Sequence, residues 1–258
     1  MNLYLKSKSL TITAVLCCCL SAPLLISGVP PEKTAPSSER HILYLPADVV
    51  IKKTAARVVA DEAHDLYEAM QLKRAGLNKK VFEYAWKGYK NLVKSGKVRK
   101  ASVLSICDFS QSSRRKRLYV IDVRSKKMLI NTYVAHGRNS GGEYANKFSN
   151  RPESHQSSLG FYVTRQTYFG GYGLALKIDG VERGINDRAN ERNIVVHGSN
   201  YIGEKFLKNN PFNGRSFGCP AIPAAQSPKV INSIKDGSCL FIYHPTKHYL
   251  TSSRILNG

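Results

Sequence analysis

From residue 101 onward the apolar residues come in runs too short for helices, and this limits the fold more than any other feature of the sequence. Val103–Cys107, Leu118–Val123, Met128–His136, Leu159–Thr164, Leu174–Ile178, Ile194–His197 and Cys239–Tyr243 are rich in β-branched and aromatic residues. Such side chains pack well on a pleated surface. Arg124-Ser125-Lys126-Lys127 joins two of the runs as a hairpin, and long Gly- and Asn-rich stretches lie at 137–158 and 199–217. Loops of that length in a compact β domain commonly carry function. The reading is a mainly β domain over residues 101–258, with no internal repeat.

The preceding part has a different texture. Residues 55–72 mix Ala, Val, Leu66, Ala69 and Met70 with charges, as a helix does. In the next segment Asn78 serves as a cap, and Val81, Phe82, Ala85, Trp86, Tyr89, Leu92 and Val93 fall on one helical stripe that Gly96 ends. Trp86 and its neighbours read as packing. Residues 41–100 are therefore expected to form a short helical region. Residues 29–40 hold Pro30, Pro31, Pro36, Ser37 and Ser38 and read as a linker. Residues 1–28 begin with Lys6 and Lys8, then run apolar from Leu10 to Ile26, the pattern of a secretory signal. The run is near the lower limit for a membrane span, so a signal peptide and an uncleaved anchor both fit. A lipid-attachment site at Cys17–Cys19 is disfavoured because Leu16 stands before Cys17, where a small residue belongs. The expected location is outside the cytoplasm, in the periplasm or cell wall.

Charge narrows the partners. Lys and Arg number 39 against 18 acids, a formal +21. The excess is spread, +9 over residues 1–101 and +12 over the rest. A basic chain attracts polyanions; export favours anionic wall polymers or lipid head groups over nucleic acid, with membrane contact only if the N-terminal segment stays uncleaved. Arg114-Arg115-Lys116-Arg117 reads as a solvated loop. Six cysteines are too few for a disulfide scaffold. Cys107 and Cys239, both in expected strands, read as buried thiols, with a disulfide between them as the alternative.

Two segments carry chemistry. Ile194-Val195-Val196-His197-Gly198-Ser199 is an apolar strand that delivers a histidine at its end. Gly214-Arg215-Ser216-Phe217-Gly218-Cys219-Pro220-Ala221-Ile222 places a cysteine after a glycine in a polar turn. A thiol is a poor nucleophile until an imidazole takes its proton. Attack on an amide also needs donors for the oxygen that becomes anionic, and backbone N–H groups of a tight turn supply them. Arg215 offers a fork for a substrate carboxylate. On spacing alone, a buried structural cysteine and a catalytic one both remain open. His136, which also ends a strand before a Gly-rich loop, is a rival base or a residue lining the pocket, and His155 and Tyr201 are further candidates for the pocket. His41, His64, His244 and His248 show no metal-type spacing, and neither a metal nor another cofactor is expected.

His197-Gly198 followed by Arg215-Ser216-Phe217-Gly218-Cys219 resembles the signature of the YkuD-type L,D-transpeptidases. The Gly-Arg-Ser-aromatic-Gly-Cys-Pro-Ala form is similar to a divergent branch, the murein L,D-transpeptidase catalytic domain family. Residues 134–141, 157–164 and the helix with Phe82 and Trp86-Lys87-Gly88-Tyr89 fit that branch, so the resemblance covers roughly residues 60–245. It implies a β-sandwich or barrel-like catalytic domain behind the short helical region. It also implies Cys219 as nucleophile, His197 as base, the Gly198 carbonyl as orienter of the imidazole, and the N–H groups of Gly218 and Cys219 as oxyanion donors. Ser216 matches the family's Ser/Thr position and, with Arg215 and His136, is expected to contact substrate. Phe217 stands where many relatives have a second His or a Lys, and Pro220-Ala221-Ile222 departs from the usual ending. The implied reaction is thioester formation on peptidoglycan stem peptides, resolved by an amine to a 3–3 cross-link. Resolution by water gives an L,D-carboxypeptidase or endopeptidase instead, and a non-catalytic wall-binding module is the reading from another class.

Overall fold

A computed structural model describes residues 54–258, Tyr172 excepted. The expected signal, the linker and the start of the helical region lie outside the described residues. Two helices come first, α1 (Ala55–Ala69) and α2 (Lys79–Lys94). Each starts on a side-chain cap: Thr54 accepts the Arg57 N–H, and Asn78 accepts the Lys80 N–H at 2.8 Å. The stripe read from the sequence is the buried face of α2, and Gly96 takes the left-handed conformation (φ 72°) just past its end. Gly88 also lies on that face, where a Cβ would sit 2.0 Å from the Phe161 ring. The glycine weakens the helix by about 1 kcal/mol but lets it settle onto the sheet.

Eight strands form one sheet: β1 (Val103–Asp108), β2 (Leu118–Asp122), β3 (Lys127–Thr132), β4 (Gly160–Gly170), β5 (Gly173–Gly180), β6 (Val195–Ser199), β7 (Ala221–Pro223) and β8 (Cys239–Tyr243). Their order is β3-β2-β1-β8-β4-β5-β6-β7, with parallel pairing at β1·β8 and β6·β7. The chain beyond β3 then returns to the far edge, where Ala135 N–H donates to Ala221 O at 2.8 Å. That bridge ties the segment beyond β3 to the β7 edge, so that the sheet nearly closes into a barrel. The fold is mainly β, with α1 and α2 preceding the sheet in the chain. Every expected strand is present, but β3 stops at Thr132, so His136 does not end a strand as expected. The short β7, the far half of β4 and the helix α3 (Ser227–Ile234) were not anticipated. The helices and the sheet share one continuous apolar core that includes Phe82, Trp86, Leu104, Phe161, Ile231 and Phe241. Among the described residues no helix is long and apolar enough to cross a membrane.

Cys107 and Cys239 are both buried free thiols. On the paired strands β1 and β8, Cys107 stands opposite Ile242 and Cys239 opposite Leu104. They are thus three residues out of register, about 10 Å along the strands at ~3.3 Å per residue. A disulfide is excluded by that register, and burial pushes the Cys107 thiol up to about 12.

The basic run before β2 departs from its expected solvated state. Arg114, Arg115 and Lys116 are exposed, but Arg117 is 0% exposed. It is the last residue before β2, and its side chain enters the core. There it donates to Val134 O at 3.1 and 3.0 Å, to Gln111 O at 2.6 Å and to His136 Nδ1 at 2.8 Å, above the ring of Phe109.

Candidate active site

β6 and β7 run side by side in parallel, and the site lies where they meet. His197 pairs with Ala221 and Gly198 with Ile222. Cys219, two residues before Ala221, lies against the start of β6: the Val195 N–H points at its sulfur at 3.5 Å, and the sulfur lies 3.7 Å from Asn193 O. His197 is two residues beyond Val195, on the same face of the strand. The structure thus brings the cysteine turn and the histidine strand together.

His197 is buried. Its Nδ1 lies 3.0 Å from Gly198 O. A carbonyl can only accept, so the proton sits on Nδ1 and Nε2 is the basic nitrogen. Burial holds the imidazole below its ordinary titration range, with the Gly198 carbonyl pulling the other way. Gly198 has no room for a side chain, since a Cβ would lie 2.5 Å from Ser227 Oγ on α3.

The turn that carries the half-buried Cys219 is anchored on both sides by residues 135–138. Ser216 N–H donates to His136 O at 3.0 Å and Arg138 N–H to Ser216 O at 2.7 Å, while Ala135 holds Ala221 beyond the turn. Inside it, the buried Ser216 hydroxyl accepts the Gly218 N–H at 3.0 Å and donates to Cys219 O at 2.7 Å. Gly218 has φ 124°, and a Cβ there would meet Gln156 O at 2.9 Å. A glycine is needed at that point. Ser157 Oγ holds Gly218 O at 3.1 Å. The Gly218 N–H, expected to face a substrate oxygen, is thus taken by Ser216, whereas the N–H of Cys219 lies beside its own sulfur. Burial raises the Cys219 thiol above its ordinary value; the Val195 N–H and the Arg192 guanidinium act against this.

The other expected residues are dispersed. His136 is 0% exposed, edge-on to Phe109, with its ring turned into the core. Burial, with the Arg117 charge beside it, holds it neutral down to about 3. Arg215 is exposed; its Nη1 donates to Gly141 O at 3.0 Å, and with Arg138 it lines a cavity of about 360 Å³. The His155 ring lies tilted against Phe217, which is 58% exposed and lies under the Arg138 guanidinium. His155, Phe217, Glu153, Glu191, Arg192 and Asn193 line a second cavity of about 380 Å³, and the Asn193 carbonyl is the one that lies 3.7 Å from the sulfur. Tyr201 packs against Ala135, Ile202 and Ala221. Among the described residues no group of three His, Cys, Asp or Glu is placed to hold a metal ion. Arg117, Arg192 and Val195 were not singled out from the sequence. The two arginines lay within charge-rich stretches typical of solvated loops, and Val195 acts through its backbone, which leaves no side-chain signal.

The model of the L,D-transpeptidase catalytic domain family matches residues 73–243. No curated protein matches the chain. Among solved structures, an L,D-transpeptidase from Mycobacterium smegmatis is 11% identical, with 55% of this chain and 59% of that chain covered and a TM-score of 0.34. The helical cell shape determining protein Pgp2 from Campylobacter jejuni is 13% identical over 66% of this chain and 61% of that one, TM-score 0.37. An L,D-transpeptidase from Stackebrandtia nassauensis is 15% identical over 71% and 76%, TM-score 0.34. The chain spans less than two thirds of the length of the first two. The family match covers well over half of the sequence and both segments of the site, and the chain belongs to the L,D-transpeptidase catalytic domain family.

Proposed function

We propose that this protein is an exported, cysteine-dependent transpeptidase of peptidoglycan stem peptides that works through a thioester acyl-enzyme. The observation that carries this reading is the approach of Cys219 Sγ to the Val195 N–H at 3.5 Å, on the strand that presents His197 two residues later. The family match over residues 73–243 supports the substrate class.

The reaction begins from a neutral pair. His197 Nε2 takes the Cys219 proton as the sulfur attacks the carbonyl carbon of the third stem residue, at its L centre. The carbonyl π pair moves to oxygen. The N–H of Cys219 faces that oxygen, with the Ser216-bound turn fixing its direction. The tetrahedral centre collapses, the C–N bond to the terminal D-Ala breaks, and His197 returns its proton to the leaving amine. An amine of a second stem then attacks the thioester. It loses a proton to His197, and the thiolate leaves and is reprotonated. One amide is lost, one is formed, and the enzyme is unchanged.

In this assignment Ser216 shapes the turn, and His136 supports it from beneath through its backbone carbonyl. Arg215 and Arg138, on the rim of the neighbouring cavity, attract a stem carboxylate. The basic surface suits an anionic wall. The test is intact mass after incubation with a carbapenem, followed by analysis of digested sacculi. A covalent adduct absent from Cys219→Ala, together with 3–3 cross-links, is expected. An adduct with trimmed stems and no cross-links assigns a hydrolase. No adduct on a reduced thiol, and no change in the sacculi, overturns the enzymatic reading.

A further inference from the structure

The turn that leads into β6 carries Arg192, to which the proposed reaction gives no part. Its guanidinium is held by the 149–158 loop. Nη1 donates to Ser149 O at 2.9 Å and to Ser158 Oγ at 3.1 Å, and Nη2 donates to Ser154 Oγ at 3.2 Å and to Gln156 O. All four acceptors are neutral. Arg192 makes no ion pair among the described residues, and its buried Nε has no hydrogen-bond partner. A half-buried cation without a carboxylate beside it keeps its field. That field falls on the nucleophile turn: a side chain at Gly218 would meet Arg192 Nη2 at 3.3 Å, and Cys219 is the next residue.

The need for such a charge follows from the rest of the site. The Gly198 carbonyl that holds the His197 ring at Nδ1 is neutral and adds no net charge to favour proton transfer from sulfur to imidazole. The charged group that acts on the sulfur is Arg192, with His197 on the adjoining strand β6; Glu191, Glu153 and His155 line the cavity that Arg192 also lines, and Tyr162 of β4 lies near Arg192. Glu191 is drawn outward by Arg188, at 3.7 Å.

We propose that Arg192 is the positioning cation of the site: its unneutralised guanidinium favours the Cys219 thiolate, and the 149–158 loop holds it where it can do so. This rests on Cys219 being the nucleophile. It gives the loop a function distinct from substrate contact, because release of the loop would release the charge.

The test is the pH dependence of Cys219 alkylation by iodoacetamide in the full chain, with Cys219→Ala as the blank, in R192Q, R192M and R192K. The neutral variants are expected to shift the alkylation midpoint up by about one pH unit, about tenfold less thiolate at a given pH below it. R192K, which keeps the charge, is expected to stay near the wild-type midpoint. R192M takes the place of R192Q if circular dichroism shows the latter unfolded. A wild-type profile in the folded neutral variant overturns the proposal. So does an R192K profile shifted as far as the neutral one, which would assign the effect to the hydrogen bonds. Alkylation needs no acyl donor. A carbapenem-inert protein whose profile still shifts in R192Q loses its proposed function but keeps this role for Arg192.

Discussion

Arg117 Nη2 donates to His136 Nδ1 at 2.8 Å with both side chains fully out of water. The pair joins the start of β2 to the segment that anchors the cysteine turn. Burial with a neighbouring cation lowers the titration of His136 from 6.5 to about 3. The folded chain therefore stays unprotonated at this residue in a range where the unfolded chain takes up a proton. The contribution is unaffected above pH 6.5 and lost progressively as pH falls from 6.5 towards 3. Urea denaturation across that window is expected to show a fall of a few kcal/mol that His136→Gln flattens, at some cost in stability at neutral pH. An unchanged acid slope in the variant would assign the slope to other groups.

Ser216 is the second place to probe. Its hydroxyl joins the Gly218 N–H to the Cys219 carbonyl across the turn, so its work is to hold the nucleophile's backbone. Ser216→Ala is expected to slow carbapenem acylation about 10–100-fold with little change in apparent affinity, and Ser216→Thr to retain most of the rate. A variant that changes affinity alone would return Ser216 to direct contact with substrate.

Gly218→Ala should have a sharper effect. The residue has φ 124°, and an added Cβ would lie 2.9 Å from Gln156 O and 3.1 Å from Ile194 Cδ1. The turn must shift, and displacement of a nucleophile by about 1 Å costs about a hundredfold in rate. Gly88→Ala is the control: it drives a Cβ into the Phe161 ring from α2, far along the chain from the turn. It is expected to lower stability by about 1–3 kcal/mol while the folded fraction acylates at the wild-type rate. Equal effects of the two variants on acylation would argue against a local role for Gly218.

These residues also mark what the sequence made legible. The strands were readable because β-branched runs and Gly-rich gaps report a local preference, and the α2 stripe because its period is strong. The Cys219 and His197 segments stood out because each sets a reactive side chain beside a glycine at the edge of an apolar run. Arg117 and Arg192 were not legible, because a charge run looks the same whether it is solvated or folded inward. Only the tertiary placement of neutral acceptors such as Val134 O and Gln156 O separates the two. The short β7 was missed for a related reason. Three residues carry too little pattern, and they become a strand through the ladder to β6 and the bridge from Ala135.

The protonation states of His197 and Cys219 predict the shape of the activity profile. Burial lowers the imidazole and raises the thiol, so the two move apart and the neutral pair occupies the widened interval. Acylation requires His197 to be unprotonated. Its acid limb is therefore expected below pH 6.5, the ordinary histidine value. His197→Gln should remove that limb and slow acylation about 10²–10⁴-fold. The measurement is the rate of adduct formation by mass across pH, at constant ionic strength. A limb at or above the ordinary histidine value would mean that burial does not hold His197 below its usual range in the working site. His197 would then be protonated over part of the neutral range, able to protonate the leaving amine but not to take a proton from the thiol, and acylation would fall with it.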